Sequence, residues 1–296
     1  MNYMINKIKT TNVSVLIYAF ITVFLWASAF VFTKVALVSF TPEALGSVRY
    51  LFASILLLVF AFIKKISLPK IKDVPMFFLS GLVGFALYVY AFNEGSVSVS
   101  AATASILIST APIITAILAV IFYKEKINKV CWFALVIEFL GIIIIALNGG
   151  VFSISKGIEW ILIAALCLAI YNIIQRKILK KYTPLEATTY SIFAGTILLT
   201  VFLKDGLMQL SNAPVLQIVN VIYLGVFPGA IAYLFWVMAI SKAKKVTTVT
   251  NFMFITPLLS TIMGLIVIRE VPSFITIVGG CIIVGASILF QKLSLK

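Results

Sequence analysis

Apolar residues run along this chain in stretches of about twenty, each closed by a charge, a proline or a glycine, from Val13 to near the C-terminal end. Their lengths and breaks predict helices over 13–37, 43–63, 74–93, 98–122, 129–147, 157–177, 185–203, 215–240, 246–268 and 273–291. The reading is an all-α integral membrane protein with ten transmembrane helices. The longest predicted connections, near Lys64 to Asp73 and Lys204 to Pro214, hold about ten residues each, too few for a soluble domain. The first stretch is too long for a signal-peptide core and reads as a retained helix.

The basic residues orient this bundle, because Lys and Arg concentrate in cytoplasmic loops. With both termini cytoplasmic, 18 of the 23 Lys and Arg residues fall on the inner side; the exceptions are Lys34, Arg49, Lys156, Lys204 and Arg269. The expected location is the cell membrane, crossed many times.

An internal repeat divides the chain. The segment from Ala91 to about Ile127 aligns without gaps on the segment ending at Val271, shifted by 145 residues, so that Pro112 falls on Pro257, Glu125 on Glu270 and Tyr88 on Tyr233. A weaker echo joins FTPEA at Phe40–Ala44 to YTPLEA at Tyr182–Ala187. Two units follow, residues 1–150 and 151–296, with five helices each. Five is odd, so the second unit enters the membrane from the opposite side, and inverted repeats of this kind recur in transporters with a site between the halves.

Composition changes the picture by exclusion. Hydrophobic residues make up 62%, charged residues 11% and the mean hydropathy is +1.18, whereas soluble domains carry about 25% charged residues. The net charge of +14 does not point to nucleic acid, since the Lys and Arg lie in short clusters between apolar runs. Histidine is absent, which removes His-based metal sites, Ser/His/Asp triads and histidine relays. Cys131, Cys167 and Cys281 lie inside apolar runs without CxxC spacing and read as packing residues. Nothing requires a metal or a cofactor, and the expected partners are the lipid bilayer and a small-molecule substrate; a monomer or a homodimer would fit.

Trp26, Phe30 and Lys34 in W-x-x-x-F-x-x-x-K spacing, the pair Arg49–Tyr50, and two small-residue helices that end in Pro then Glu together resemble the EamA-type drug/metabolite transporters. The resemblance covers nearly the whole chain. It implies ten helices in two inverted five-helix repeats and export of amino acids or similar small metabolites. A proton-coupled multidrug or cation exporter is the alternative, but an acid would be expected in its first helix, and the stretch from Trp26 to Lys34 has none. A membrane-embedded enzyme would need clustered acids or nucleophiles, and the nine acids are scattered.

Candidate cavity residues are aromatic and polar side chains on helices that surround the central path in the resembling family: Trp26 and Ser28, Tyr88 and Phe92, Tyr171, Asn172 and Gln175, Tyr233 and Trp236, and Asn251. Such a lining suits a small zwitterion or heterocycle. Pro112 and Pro257 each free a carbonyl about one turn earlier, near Ile108 and Met253, and read either as gating kinks or as static bends. Glu138 stands near the middle of its helix on a small-residue stripe with Cys131, Ala134 and Gly141, where it serves a structural hydrogen bond or proton coupling. Arg49 reads as an outer-end anchor, or less directly as a carboxylate ligand. Glu125 and Glu270 read as helix-end caps or ion-pair partners.

Overall fold

A computed structural model of the protein describes residues 2–124, 129–148, 151–152 and 155–294. Among these residues, seven helices are long and apolar enough to cross a membrane. They are α1 (Asn2–Ala36, apolar from Val13), α2 (Pro42–Lys64), α3 (Ile71–Ser98), α4 (Ala101–Tyr123), α6 (Lys156–Ile178), α7 (Pro184–Asn212) and α8 (Val215–Lys242). Three further helices carry shorter apolar runs: α5 (Lys129–Ala146), α9 (246–267) and α10 (Phe274–Ser294). Two-residue strands, β1 (Leu147–Asn148) and β2 (Val151–Phe152), pair antiparallel between α5 and α6.

Local chemistry accounts for the helix starts. Thr41 caps α2 by accepting from the Ala44 N–H, with Pro42 in the first turn, and Thr183 caps α7 with Pro184 behind it. In α7 the Glu186 carboxylate also accepts from the Thr183 N–H, completing a capping box. The TPEA and TPLEA echoes are therefore two N-terminal caps with proline in the first turn, where its missing N–H costs nothing.

One predicted connection is corrected. Residues 204–212 are not a loop; the helix of α7 continues through Leu203–Asn212. This extension is amphipathic, so a search for unbroken apolar length passes over it. Gly206 lies against Ser47 and Val48 of α2, where a β-carbon would overlap them.

Packing pairs the first half with the second reciprocally. Helix α1 packs on α8 and α9, while α6 packs on α3 and α4; α2 packs on α7, and α5 on α10. Helices α3 and α8 each contain a π-helical segment, Leu82–Ala86 and Gly225–Ile231. Moved by the 145 residues of the repeat, the first falls on 227–231, inside the second. Such segments are rare and cluster at functional sites.

The repeat-related prolines sit at breaks. Helix α4 turns at Ser109–Thr110 and restarts at Ala111, with Pro112 in the new first turn. Helix α9 passes through a 3-10 segment at Asn251–Ile255 and restarts at Thr256, with Pro257 in the same place. The Met253 carbonyl next to the second break accepts from Ser109 Oγ at 3.4 Å, tying one break to the other.

Candidate functional site

The helices enclose a cavity at mid-depth, lined from both halves. Trp26, Ala29 and Phe30 of α1, Arg49 of α2, Tyr88 and Phe92 of α3 and Ile108 of α4 form one side. Leu168 of α6, Tyr233 of α8, and Met253 and Thr256 of α9 form the other. Trp26, Tyr88 and Tyr233 each lie roughly 15 Å along their helices from the nearer end, at 1.5 Å per residue, which is half of a hydrocarbon core about 30 Å thick. The space between these side chains is narrow, ≈ 10 Å³, room for about one water.

Aromatic rings build the walls. Trp26 meets Tyr233 edge-on at 5.0 Å and Trp236 at 4.9 Å. Phe30 meets Phe92 edge-on at 5.2 Å, and Tyr88 stacks on Phe92 at 5.8 Å. Behind Tyr233 lie Phe85 and Tyr171. Tyr171 reaches that place because Gly84 has no side chain; a β-carbon there would overlap the Tyr171 ring. Trp26 Nε1 donates to the Pro228 carbonyl at 3.3 Å, within the π-helical segment of α8.

Of the residues singled out from the sequence, Trp26, Tyr88, Phe92 and Tyr233 line the cavity, and so do Ile108 and Met253, the residues whose carbonyls the prolines were expected to free. The others stand elsewhere. Ser28 pairs with the Tyr223 hydroxyl at 2.7 Å on the α8 side. Gln175 Nε2 donates to Ser80 and Ser191, joining α6 to α3 and α7. Asn172 Oδ1 accepts from Trp236 Nε1 at 2.8 Å, and both side chains are fully buried beneath Trp26, as is Tyr171 behind Tyr233. The residue types declared that these groups need partners, and neighbouring helices supply them. The Asn251 side chain and Glu125 lie outside the described residues.

Arg49 corrects its reading. It is not a wetted anchor: it is only 2% exposed, lies against the cavity, and its Nε and Nη1 have no hydrogen-bond partner among the described residues. Its guanidinium carbon lies 5.7 Å from the centre of the Tyr50 ring. Helix α8 makes room for it with Gly225, against the Arg49 carbonyl, and Gly229, beside Nε. The sequence carried the signal, an arginine several residues inside an apolar helix, but not the face on which it points.

Glu138 is buried in α5, whose main contact is α10, and is not among the cavity-lining residues. Cys131 and Ala134 are buried on the same stripe, and Gly141 lies against Ile283 and the Gly279 carbonyl of α10. Glu270 is an ion-pair partner and a cap together. Its Oε1 lies 3.4 Å from Lys34 Nζ, and its Oε2 accepts from the Ala101 N–H at 2.9 Å at the start of α4. Lys34 Nζ donates as well to the Val99 carbonyl at 2.7 Å. No disulfide joins the three cysteines; Cys131 and Cys167 are buried and Cys281 is exposed.

Comparison with known proteins places this architecture. The EamA-like transporter family matches residues 2–147 and again 155–291. The chain belongs to the EamA-like transporter family. A transporter of Bacillus subtilis named as uncharacterized, YdfC, is 36% identical over 94% of this chain and 90% of its own. A probable terminal-alkyne amino-acid exporter of Streptantibioticus cattleyicolor is 30% identical over 93% of this chain and 92% of its own. A solved crystal structure superposes with a TM-score of 0.69, covering 95% of this chain and 98% of that one at 16% identity, which is a likeness of fold alone. As an EamA-like protein the chain is a multi-pass membrane transporter.

Proposed function

We propose that all ten helices span the cell membrane as two inverted five-helix repeats, 1–150 and 151–296, with both termini cytoplasmic. The protein exports amino acids or similar small metabolites by alternating access through the central cavity. One observation carries this reading: a narrow cavity whose wall is shared between helices that pack reciprocally across the halves. A site exposed alternately to both sides must lie where repeat-related elements meet. Tyr88 with Tyr233, and Ile108 with Met253, are repeat partners that reach the same cavity. The coincident π-helical segments and the paired proline breaks give both halves the same points of bending. The relative named as an amino-acid exporter supports the substrate class.

The cation-exporter alternative loses ground at this cavity, because its lining, among the described residues, contains an arginine and no acid. Efflux of radiolabelled amino acids from proteoliposomes tests the function; no efflux of any member of a full amino-acid panel, with protein inserted and folded, would sink it. Membrane-impermeant labelling of single cysteines placed at Lys70 and Lys244 tests the topology, with protection from outside expected at both.

A further inference from the structure

We propose that Arg49 is the receptor for a carboxylate, so that the cavity takes small monocarboxylic acids, amino acids with apolar or aromatic side chains foremost, and rejects their esters and amines. The inference rests on the transport reading of this cavity and names what the cavity selects.

The argument begins with cost. Taking a charge out of water into a helix bundle is expensive unless hydrogen bonds and a counter-charge replace the water. Arg49 has neither on Nε or Nη1, and no carboxylate of the described residues lies within ion-pair distance of it. Lys34, which is half-buried, and Lys181, which is exposed, each pair with a carboxylate. Arg49 is the exception, and it is the one that lines the cavity.

Across the cavity Thr256 offers a second polar group. Its hydroxyl is buried, has no partner among the described residues, and stands at the start of the 12-residue segment Thr256–Val267 of α9. Arginine presents a planar fork of N–H donors that matches a carboxylate with two parallel hydrogen bonds. The hydroxyl opposite, and the N-terminal end of a broken helix, add to the same preference for negative charge. The rest of the wall is aromatic and aliphatic: Trp26, Phe30, Tyr88, Phe92 and Tyr233. Those faces accept an apolar side chain, and they attract an ammonium without an acid being present. An organic cation lacking a carboxylate would face the guanidinium with nothing to offset the repulsion.

The test uses the full chain purified in lipid nanodiscs, with L-phenylalanine, L-leucine, phenylalanine methyl ester and phenethylamine as probes, followed by Trp fluorescence and by thermal unfolding. The two acids are expected to bind, and the ester and the amine to bind roughly 30-fold or more weakly, the scale set by removing one partner of a buried charge pair. Arg49→Gln is expected to abolish that discrimination, and Arg49→Lys to restore part of it. The empty Arg49→Gln protein is expected to unfold at the same or a higher temperature than the parent, because an unpaired buried charge has been removed. A merely structural arginine would give the reverse, a lower unfolding temperature with the acid preference intact. Either that result, or preference for the ester or the amine in the parent protein, or no binding of either acid, overturns the inference. Failure of transport is told apart from failure of this proposal: acids that bind through Arg49 but do not move across proteoliposomes refute transport alone, whereas acids that move equally well in Arg49→Gln refute the carboxylate receptor alone.

Discussion

The indole nitrogen of Trp236 donates to Asn172 Oδ1 at 2.8 Å, and both side chains are fully buried where α6 and α8 meet under the cavity. Asn172 Nδ2 reaches on to Thr115 Oγ1 at 3.5 Å. This is the polar link beneath Trp26, whose ring rests on Trp236. Removing one partner strands the other in an apolar site, at a cost of about 1–3 kcal/mol. Asn172→Ala should therefore lower the unfolding temperature of the purified protein. Combining Asn172→Leu with Trp236→Phe should recover part of the loss, since replacing both partners leaves no donor stranded. If the double variant is as unstable as the sum of the single ones, the hydrogen bond is not what makes Asn172 matter.

Lys34 pairs with Glu270 one helical turn beyond Phe30 of the cavity wall. Through one carboxylate, the end of α1, the start of α4 and the end of α9 are joined. Glu270→Ala removes the acceptor of the Ala101 N–H and the partner of Lys34 together, so this end should open more readily. A cysteine replacing Phe30 should then react faster with an impermeant thiol reagent added outside, and unchanged reactivity would show that the aromatic contact of Phe30 with Phe92 closes this end unaided.

On the other face of the bundle Lys181 Nζ lies 2.7 Å from Asp73 Oδ1, while the Tyr182 hydroxyl donates to Oδ2 at 2.9 Å. The hydrogen bond to Asp73 holds the Lys181 ammonium above the ordinary lysine range. A raised lysine value means that its contribution is fully present below the ordinary lysine value and is lost as pH climbs through the raised one. Asp73→Asn should flatten the alkaline limb of stability against pH. The effect should be small and should shrink further in salt, since Lys181 is exposed. Unfolding curves collected across the alkaline range at two salt concentrations check it.

Much of this fold could be read from apolar length alone. Eight of the ten predicted stretches lie within about five residues of a helix end at both limits; the first helix begins earlier, at Asn2, in a polar segment, and the seventh runs on through Asn212 because its extension is amphipathic. The cavity was legible where two independent signals met, as at Tyr88 and Tyr233, which are aromatic and also repeat partners. Ser28 and Gln175 were misplaced because a polar residue type announces a need for a partner and does not say which helix provides it. Arg49 was misjudged because position along a helix gives depth in the membrane, while the face it presents depends on the packing of α2 against α8. Glu138 shows the opposite case. The small residues around it identified a packed face of α5: Cys131 and Ala134 cluster with Ala116 of α4, and Gly141 lies against Ile283 of α10.

Because Glu138 is buried in α5 and is not among the cavity-lining residues, Glu138→Gln should leave the pH profile of transport in place while changing the stability of the packing around α5. Proteoliposome efflux measured between pH 6 and 8 (about the range in which a perturbed carboxyl can titrate) would decide it. A shifted profile would make the acid a proton-coupling group.

Tyr88 and Tyr233 are repeat partners on the same cavity, yet their surroundings differ, and the difference predicts unlike effects. Tyr233 is 1% exposed and is in ring contact with Trp26, Phe85 and Tyr171, whereas Tyr88 is half-buried and stacks on Phe92. Truncating a ring embedded as Tyr233 is leaves a cavity and costs about 3–5 kcal/mol. Tyr233→Ala should thus reduce both the folded yield and transport, and Tyr233→Phe, which keeps the ring, should restore folding. Tyr88→Ala removes a ring with fewer supports, so it should leave insertion and folding nearly unchanged. It should still lower transport about tenfold, the scale of losing one aromatic contact worth about 0.5–1.5 kcal/mol beyond its area, together with the apolar surface offered to the substrate. Efflux normalised to folded protein separates the two. If Tyr88→Ala transports an identified substrate as the parent does, that ring is packing, and the substrate path runs closer to α8.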